Sequence, residues 1–438
     1  MFFIVITNFD ALWKNTGTRY QKARKDALEI LERVLEKMNG YRVVKSSVSV
    51  KGDYLNINNH RVNLVSRRNI FLLGIGKAAG SMAKAMEEII EFDDGIVITT
   101  EEVTLNRVRV LTGTHPLPSE ENVRATDEAL GLLERAGKKD LIIFLISGGG
   151  SSLLCKPRIP LQSMIEVTEE LMLKGCTIEE LNTVRKHLSL VKGGQLAQRT
   201  EAHIISLIMS DIIGNPVDCI ASGPTSPDST TFADALRILK QYRIQNRDAL
   251  QVIKKGINGE IAETPSHLDN VDNIIIADIG MACSHAQHLA EMKGYHARVI
   301  GTGIQGEARE IGKALAEYAM FFPRSPSIII AGGETTVTVK GEGRGGRNQE
   351  LVLAAVTHLS HEPLVFISCG TDGIDGNSPA AGAVADGESL EKAYRAGMKP
   401  EEYLERNDSY SFFHALGDDI ITGYTGTNVM DIQIMVKL

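Results

Sequence analysis

The stretch Leu141-Ile142-Ile143-Phe144-Leu145-Ile146, followed at once by Ser147-Gly148-Gly149-Gly150-Ser151-Ser152, decides the fold of this chain. Six successive apolar residues without alternation predict a strand that is buried on both faces, as in a parallel sheet. Three glycines then allow a sharp turn and a close approach of the backbone to a ligand. We therefore predict an anion-binding loop formed by Ser147, Gly148, Gly149, Gly150, Ser151 and Ser152, with a ligand-free strand-to-helix turn as the alternative.

Strands and helices alternate on both sides of this loop. Apolar runs at 70–73 and 203–209 predict further strands that open into glycine-containing turns, and a helical pattern covers 120–135. We also predict a strand over 335–339 and a helix over 178–197 that Gly193 and Gly194 interrupt. The alternation predicts an α/β fold with two domains. Because 254–272 is polar and lacks apolar periodicity, we expect a Rossmann-like, doubly wound N-terminal domain over 1–262 and a C-terminal α/β domain over 263–438.

The composition excludes several protein classes. Hydrophobic residues make up 43% and charged residues 23% of the 438 residues, which is typical of globular proteins. A net charge of -8 gives no reason to expect nucleic acid or an anionic membrane as a partner. The 5 cysteines are scattered, so neither a disulfide framework nor a zinc site is indicated. The apolar residues 1–6 are too short for a signal peptide or a membrane span, and we expect a cytoplasmic protein.

A glycine-rich turn after the strand at 70–73 has two interpretations. The pattern Gly74-x-Gly76-x-x-Ala79 matches the dinucleotide-binding fingerprint, and Asp93 or Asp94 follows at the expected distance. Taken alone, this pattern predicts a dehydrogenase. Lys77 lies inside the turn, however, where its ammonium group would suit a phosphate at a helix N-terminus, unless it is simply a surface lysine. The chain contains no Walker A sequence, which disfavours a P-loop NTPase.

A second glycine-rich cluster occupies 332–350. Arg344 and Arg347 stand among glycines directly before a predicted helix that Asn348 begins. Guanidinium groups and helix amides in that arrangement could bind a carboxylate or a phosphate, whereas the alternative is a flexible hairpin with solvated arginines. Glu334, at the end of an apolar strand, is either a ligand of a metal or hydroxyl group or a cap.

Two further loops supply carboxylates. Asp372 and Asp375 lie in an Asx-rich loop at a strand end, where they could hold Mg²⁺ through water. Asp211 follows the strand at 203–209 and is either a functional carboxylate or a turn residue. Neither an H-E-x-x-H zinc motif nor a G-x-S-x-G hydrolase elbow occurs in the sequence.

The loops at 74–81, 147–152, 210–216 with 222–225, 332–350 and 370–377, in this order, resemble those of the glycerate 2-kinase family, whose C-terminal part is called the MOFRL domain. The resemblance implies ATP-dependent phosphorylation of D-glycerate at its 2-hydroxyl, with Mg²⁺, in a cleft between the two domains. It also implies that Lys77 and Arg347 face each other across that cleft.

On this hypothesis Lys77 and Arg347 neutralise charge on the transferred phosphoryl group. The 147–152 loop, with Arg344 and Asn348, would bind substrate anions, and it stays open whether this loop takes the glycerate carboxylate or the nucleotide phosphates. We assign Asp211 a catalytic role. Glu334 and Asp372 are the expected metal ligands, although the order of the three carboxylates stays open.

Two readings from other functional classes are kept. Some relatives bear the name hydroxypyruvate reductase, so an NAD(P)H-dependent reductase is the main alternative, and a non-catalytic binding protein for small hydroxy acids is the other. We expect D-glycerate and ATP as small-molecule partners, no nucleic acid and no membrane. A homodimer is our hypothesis for the oligomeric state.

Overall fold

The computed structural model describes residues 5–438, which form two compact units. One unit is Gly40–Ile276, and the other joins the described residues up to Asn39 with Ala277–Leu438. Most of the apolar start at 1–6 lies outside the described residues. Within the described part of the chain, no helix has both the length and the apolar character needed to cross a membrane.

The elements are numbered in chain order. The α-helices are α1 (Phe9–Lys14), α2 (Thr18–Met38), α3 (Gly40–Ser47), α4 (Ala79–Glu87), α5 (Glu120–Arg135), α6 (Gly150–Leu153), α7 (Leu161–Leu173), α8 (Ile178–His187), α9 (Phe232–Gln241), α10 (Arg247–Ile257), α11 (Ile279–Met292), α12 (Ala308–Met320), α13 (Arg347–Ala355), α14 (Ser389–Arg395), α15 (Pro400–Glu405) and α16 (Ser409–Leu416). The strands are β1 (Val48–Lys51), β2 (Tyr54–Ile57), β3 (His60–Asn63), β4 (Ile70–Ile75), β5 (Asp94–Thr99), β6 (Arg109–Thr112), β7 (Leu141–Ile146), β8 (His203–Met209), β9 (Val271–Ala277), β10 (His296–Ile304), β11 (Ser327–Gly333), β12 (Leu364–Gly370), β13 (Gly382–Asp386), β14 (Asp419–Ile420) and β15 (Asp431–Lys437).

The main sheet of the Gly40–Ile276 unit has the strand order β6-β5-β4-β7-β8-β9. The pairs from β6 to β8 are all parallel. This order corresponds to the 3-2-1-4-5-6 arrangement of Rossmann folds, so the predicted doubly wound sheet is confirmed. The order reverses between β4 and β7, and ligands of such sheets bind at that switch point, beyond the carboxyl ends of the strands.

Side-chain alternation explains why helices cover both faces of this sheet. All six residues of β7 are buried, as the unbroken apolar run predicts. One face, which includes Leu73 and Ile142, shares a core with α5. On the other face, a Cβ at Gly74 would lie 2.9 Å from Val97 Cγ2 and 3.5 Å from the Cβ of Ala79, the first residue of α4, so the helix packs directly on the strand.

The second unit is built on a mixed six-stranded sheet of order β10-β11-β15-β12-β13-β14. The C-terminal strand β15 runs antiparallel to both of its neighbours, β11 and β12. Helices α12, α13 and α16 share a core with one face of the sheet, while α2 and α11 pack against it as well. This architecture completes the predicted two-domain α/β fold.

The division into units differs from the predicted boundary at 262/263. Helix α2 packs against β12 and β15 although it is separated from them by several hundred residues of sequence. Its Arg24, with a side chain only 1% exposed, donates from Nε to Asp386 and from Nη1 to Asp418, both at 2.6 Å. The helices α1 and α2 therefore belong with the C-terminal sheet, and β9, at the edge of the first sheet, runs through Ile276 to the end of that unit.

Two local predictions were wrong. Residues 335–339, expected as a strand, form only an isolated bridge between Thr336 and Glu307. The helix expected over 178–197 ends at His187, because the chain then turns through Gly193 and Gly194, both in the left-handed region. All five cysteines are free.

Removal of the buried guanidinium should destabilise the protein. Arg24→Ala leaves Asp386 and Asp418 buried without their cation, and we expect it to lower the free energy of unfolding by about 3–5 kcal/mol. Lys25→Ala, on the exposed side of the same helix, should change it by about 0.5 kcal/mol or less. Urea unfolding of both variants tests this, and equal midpoints would contradict the role given to Arg24.

Candidate functional site

The turns that follow β4 and β7 are locked together at the switch point. Gly76 has φ +119, and a Cβ there would lie 2.2 Å from Ser147 Oγ and 2.4 Å from its carbonyl oxygen. The Lys77 amide donates to the Gly148 carbonyl at 2.8 Å, and the Ala78 amide donates to Ser147 Oγ at 3.0 Å. Lys77 is thereby held at the carboxyl ends of the two central strands.

The glycine-rich loop passes between two side chains. Gly149 has φ +83, and a Cβ there would lie 2.9 Å from His115 Cδ2 and 3.3 Å from Lys77 Cγ. The short helix α6 begins at the next residue. Asp211 follows β8, the strand beside β7, so its backbone lies at the same edge of the sheet. The structure thus brings Lys77 and the 147–152 loop together, with Asp211 at a neighbouring strand end.

A series of hydrogen bonds to Ser222 and Lys192 supports the 147–152 loop. Ser151 Oγ lies 2.7 Å from Ser222 Oγ, and Lys192 Nζ contacts Ser151 Oγ at 3.3 Å and the Leu154 carbonyl at 3.1 Å. Ala221 and Ser222 adopt φ +51 and +62, an uncommon conformation for residues other than glycine. Lys192 was not predicted as a site residue, because nothing in its local sequence distinguishes it from a surface lysine.

The dinucleotide interpretation of Gly74–Ala79 conflicts with the surrounding structure. Asp93 and Asp94 lie at the amino end of β5, where they accept from the Ile70 amide and from Arg135, far along the strand from the glycine turn. Glu101, beyond the carboxyl end of β5, instead accepts from the Ser81 amide at 2.9 Å. A carboxylate therefore already occupies the α4 N-terminus, where a dinucleotide pyrophosphate would bind.

Arg347 is the centre of the polar cluster in the second unit. It donates from Nε and Nη2 to Asp431, at 2.6 and 3.0 Å, and from Nη1 to Glu334 at 2.6 Å. Asp431 is opposite both Gly333 and Gly370 in the sheet, so the ends of three neighbouring strands meet here. Burial raises the pKa of Glu334 and of Asp431, although Arg347 opposes both shifts.

A buried carboxylate, that of Asp375, caps the N-terminus of helix α13. Asp375 accepts from the Asn348 amide at 3.0 Å and from the Gln349 amide at 2.9 Å. Burial raises its pKa to about 6, while these backbone donors act in the opposite direction. Asn348, only 2% exposed, also accepts from Ser368 Oγ at 2.6 Å. Asn348 is therefore held by hydrogen bonds to Asp375 and Ser368, which its position in the sequence did not predict.

The remaining predicted residues of this unit lie around that centre. Asp372 lies just after β12. It is near enough to Glu334 that its negative charge contributes to the raised pKa of Glu334. Arg344 is exposed, and its guanidinium lies over the Tyr410 ring at 4.8 Å. Among residues 5–438, no group of three or more His, Cys, Asp or Glu side chains is arranged to hold a metal ion. Asp431 completes the cluster, and only its place at the start of the last strand could have suggested it.

Comparison with known proteins shows the same two-part organisation. A family model described as a domain of unknown function, DUF4147, matches residues 26–255, and the MOFRL family model matches residues 327–431. The chain is 39% identical over 429 residues to a D-glycerate 2-kinase from Thermotoga maritima, with 94% of this chain and 98% of the relative covered. The chain belongs to the glycerate 2-kinase family.

A solved structure and a second relative extend the comparison for this family member. The crystal structure of a glycerate kinase from Thermotoga maritima matches with a TM-score of 0.85 at 37% identity, covering 95% of this chain and 100% of that one. A relative from Agrobacterium vitis, 38% identical over 387 residues, carries the provisional name hydroxypyruvate reductase; the match covers 84% of this chain and 87% of the relative.

The contact between Gly76 and Ser147 generates a stability prediction for this glycerate 2-kinase family member. Gly76→Ala combines an unfavourable φ with a clash against backbone, and should cost about 3 kcal/mol or more of unfolding free energy. Gly131→Ala is the matched control, because it lies within α5 with nothing inside 4 Å, and should gain up to about 1 kcal/mol. Similar urea midpoints for the two variants would show that the turns are not locked.

Asp375 generates a prediction about pH. Its folded pKa of about 6 lies above its ordinary value of 3.8, so its contribution to stability is complete below about pH 4 and is lost as the pH rises through 6. Asp375→Asn cannot titrate. Between pH 4 and 7 the unfolding free energy of the wild type should therefore fall by about 2–3 kcal/mol relative to the variant. Parallel pH profiles of the two proteins in urea would contradict this.

Proposed function

We propose that this chain is a kinase that transfers the γ-phosphoryl group of ATP to the 2-hydroxyl of D-glycerate, forming 2-phosphoglycerate and ADP. The observation that carries the proposal is the similarity to a D-glycerate 2-kinase over 98% of that relative's length, which spans both units and all five loops. Phosphoryl transfer depends mainly on positioning and on charge stabilisation, and each unit supplies a fixed cation at strand ends.

Lys77 is proposed to neutralise charge on the transferred phosphoryl group. Its backbone is fixed by the bond to Gly148, and its side chain leaves the turn beside Gly149. The ammonium group therefore emerges next to the glycine-rich loop, whose amides and hydroxyls suit an anion. A preorganised cation in that position needs no rearrangement during the reaction, which is the basis of electrostatic catalysis.

Arg347 is proposed as the second cation. Its guanidinium group has five N–H donors, of which the three bonds to Asp431 and Glu334 use three. Two donors remain, and the side chain is 34% exposed. The carboxylates hold the guanidinium plane in one orientation, so the remaining donors point in a fixed direction toward an incoming phosphoryl oxygen.

Two of the acidic residues around Arg347, Glu334 and Asp372, are proposed as ligands of a magnesium ion, although no ready-made cluster of three metal-binding side chains occurs among residues 5–438. Glu334, Asp372 and Asp431 place more negative charge near Arg347 than one guanidinium compensates, and their mutual repulsion contributes to the raised pKa of Glu334. In kinases Mg²⁺ takes one or two carboxylates together with substrate phosphates, so Glu334 and Asp372 are sufficient as protein ligands. When bound, the ion would neutralise phosphate charge. Asp211 is proposed as the group that accepts the hydroxyl proton, from its place after β8.

A hydroxypyruvate reductase is the second candidate, and the glycine fingerprint and the provisional name of one relative favour it. Against it stands Glu101, which occupies the α4 amide that a pyrophosphate would need. The cytoplasmic location and the homodimer remain predictions.

Variants at the two cations test the proposal. With D-glycerate, ATP and Mg²⁺, Lys77→Ala should lower kcat/KM by about a thousandfold, as should Arg347→Lys, which keeps the charge near Asp431 but loses the planar fork. Product is identified as 2-phosphoglycerate by phosphorus NMR. Exposed Lys84→Ala on α4 and Arg395→Ala on α14 are the matched controls and should retain wild-type activity.

A parallel assay follows NADH and NADPH oxidation on hydroxypyruvate. Rapid oxidation without any phosphorylated product would reject the kinase and favour the reductase. Full activity of the Lys77 and Arg347 variants would instead reject the roles assigned to these two residues.

A further inference from the structure

Two buried donors on one face of α8 have no oxygen or nitrogen acceptor among residues 5–438. The Asn182 side chain is 2% exposed, yet its Nδ2 atom meets only the weakly accepting Cys219 thiol, and the buried Nε atom of Arg185 has no partner among the described residues. The two residues are three positions apart on the helix, so their side chains lie side by side. The Asn182 amide lies beside the Cys219 thiol, which is only a weak acceptor. Unsatisfied buried donors are costly, which points to a ligand that accepts from them.

A directional chain of hydrogen bonds explains why the Asn182 amide points its NH₂ group away from its neighbours. Lys192 Nζ donates to Ser151 Oγ at 3.3 Å, and Ser151 Oγ donates its own proton to Ser222 Oγ at 2.7 Å. Ser222 in turn donates to Asn182 Oδ1 at 2.9 Å. The oxygen of Asn182 is thereby fixed toward Ser222, and its NH₂ group is left for another acceptor.

This chain also places the donors of α8 at the functional loop. Ser151 belongs to the glycine- and serine-rich loop after β7, at the switch point of the sheet. It is partly exposed, whereas Ser222 and Asn182 are buried behind it. Ser222, which contacts both Ser151 and Asn182, has a left-handed φ of +62, an uncommon conformation for serine. The donors thus lie directly under the loop that is expected to bind substrate.

The same corner carries two basic side chains that no carboxylate of the described residues balances. Lys192, 2% exposed, contacts neutral oxygens of Ser151 and Leu154, and among residues 5–438 neither Lys192 nor Arg185 forms an ion pair. Burial lowers the pKa of Lys192 to about 7 and also lowers the pKa of Arg185, and the two cations oppose each other. Among the described residues, the Cys155 thiol is the other titratable group that acts on both of them. An anion would relieve this imbalance.

We infer that Arg185 and Asn182 bind the carboxylate of the hydroxy-acid substrate, and that Ser151, Ser222 and Lys192 are positioning residues that orient Asn182. A carboxylate offers two coplanar oxygens, which match adjacent guanidinium and amide donors, whereas a triphosphate carries more charge and more oxygens than this corner has donors. The inference rests on the proposed function. It assigns the 147–152 loop to the glycerate carboxylate and not to the nucleotide phosphates.

The test compares D-glycerate with its uncharged analogue D-glyceramide, and with ATP. Arg185→Ala should raise KM for D-glycerate by about 30-fold or more and Asn182→Ala by about tenfold, while KM for ATP should stay within about twofold. The preference for D-glycerate over D-glyceramide should fall by a similar factor. Exposed Arg124→Ala on α5 is the control and should leave all three values unchanged.

Stability separates a binding role from a structural one. Because the Nε atom of Arg185 has no partner, and its guanidinium no ion pair, among residues 5–438, Arg185→Ala should keep or raise the urea midpoint, whereas a residue that merely supports the fold would lower it. A raised KM for ATP with an unchanged KM for D-glycerate would overturn the inference, and so would unchanged values for both substrates.

Direct binding keeps the inference separate from the kinase proposal. Calorimetric titration of D-glycerate into the full chain needs no turnover. If the wild type binds D-glycerate but forms no 2-phosphoglycerate, the proposed function fails, yet loss of binding in Arg185→Ala still supports the carboxylate site. If the wild type does not bind D-glycerate, or Arg185→Ala binds it as tightly, the carboxylate site is rejected.

Discussion

The close approach of Gly76 to Ser147 is the constraint on which the rest of the first unit's site depends. Parallel strands β4 and β7 are neighbours, so the turns leaving them compete for the same space at the switch point. The turns fit only because residue 76 has no side chain, and the bonds from Lys77 and Ala78 then fix one turn on the other. One steric requirement therefore sets both the direction of the lysine and the path of the anion-binding loop.

Where local burial dictates structure, the sequence predicted the fold closely. The bounds of β7 and α5 agree with those expected from apolar runs and helical periodicity, since both signals are local. The strand β13, whose residues are mostly small, had no such signal, and the pattern at 335–339 suggested a strand that has no neighbour to pair with. The assignment of α2 to the C-terminal sheet depends on contacts between distant residues such as Arg24 and Asp418, which no local pattern records.

Some residues of the candidate site could be predicted from local sequence and others could not. Glycine-rich loops are recognisable in a sequence, because a close backbone approach or a positive φ favours glycine, and Lys77, Ser147 and Arg347 were predicted from such loops. Asn182, Arg185 and Lys192 lie in an amphipathic helix and the turn after it, where polar residues are ordinary. Asn182 and Arg185 stand out because they hold buried donors without a strong acceptor, and Lys192 because it is buried without a carboxylate partner; both are properties of the folded chain and not of its sequence.

In both units a carboxylate of the chain itself binds the N-terminal amides of a helix, and this limits which ligands can bind there. Glu101 accepts from an amide in the first turn of α4, and Asp375 accepts from amides in the first turn of α13. The N-terminal amides that Rossmann enzymes offer to a pyrophosphate are thus already occupied by the chain's own carboxylates. Anion recognition in the first unit must then come from side-chain cations and from the loop after β7, so a fold shared with dinucleotide-binding enzymes presents a different chemistry at the same switch point.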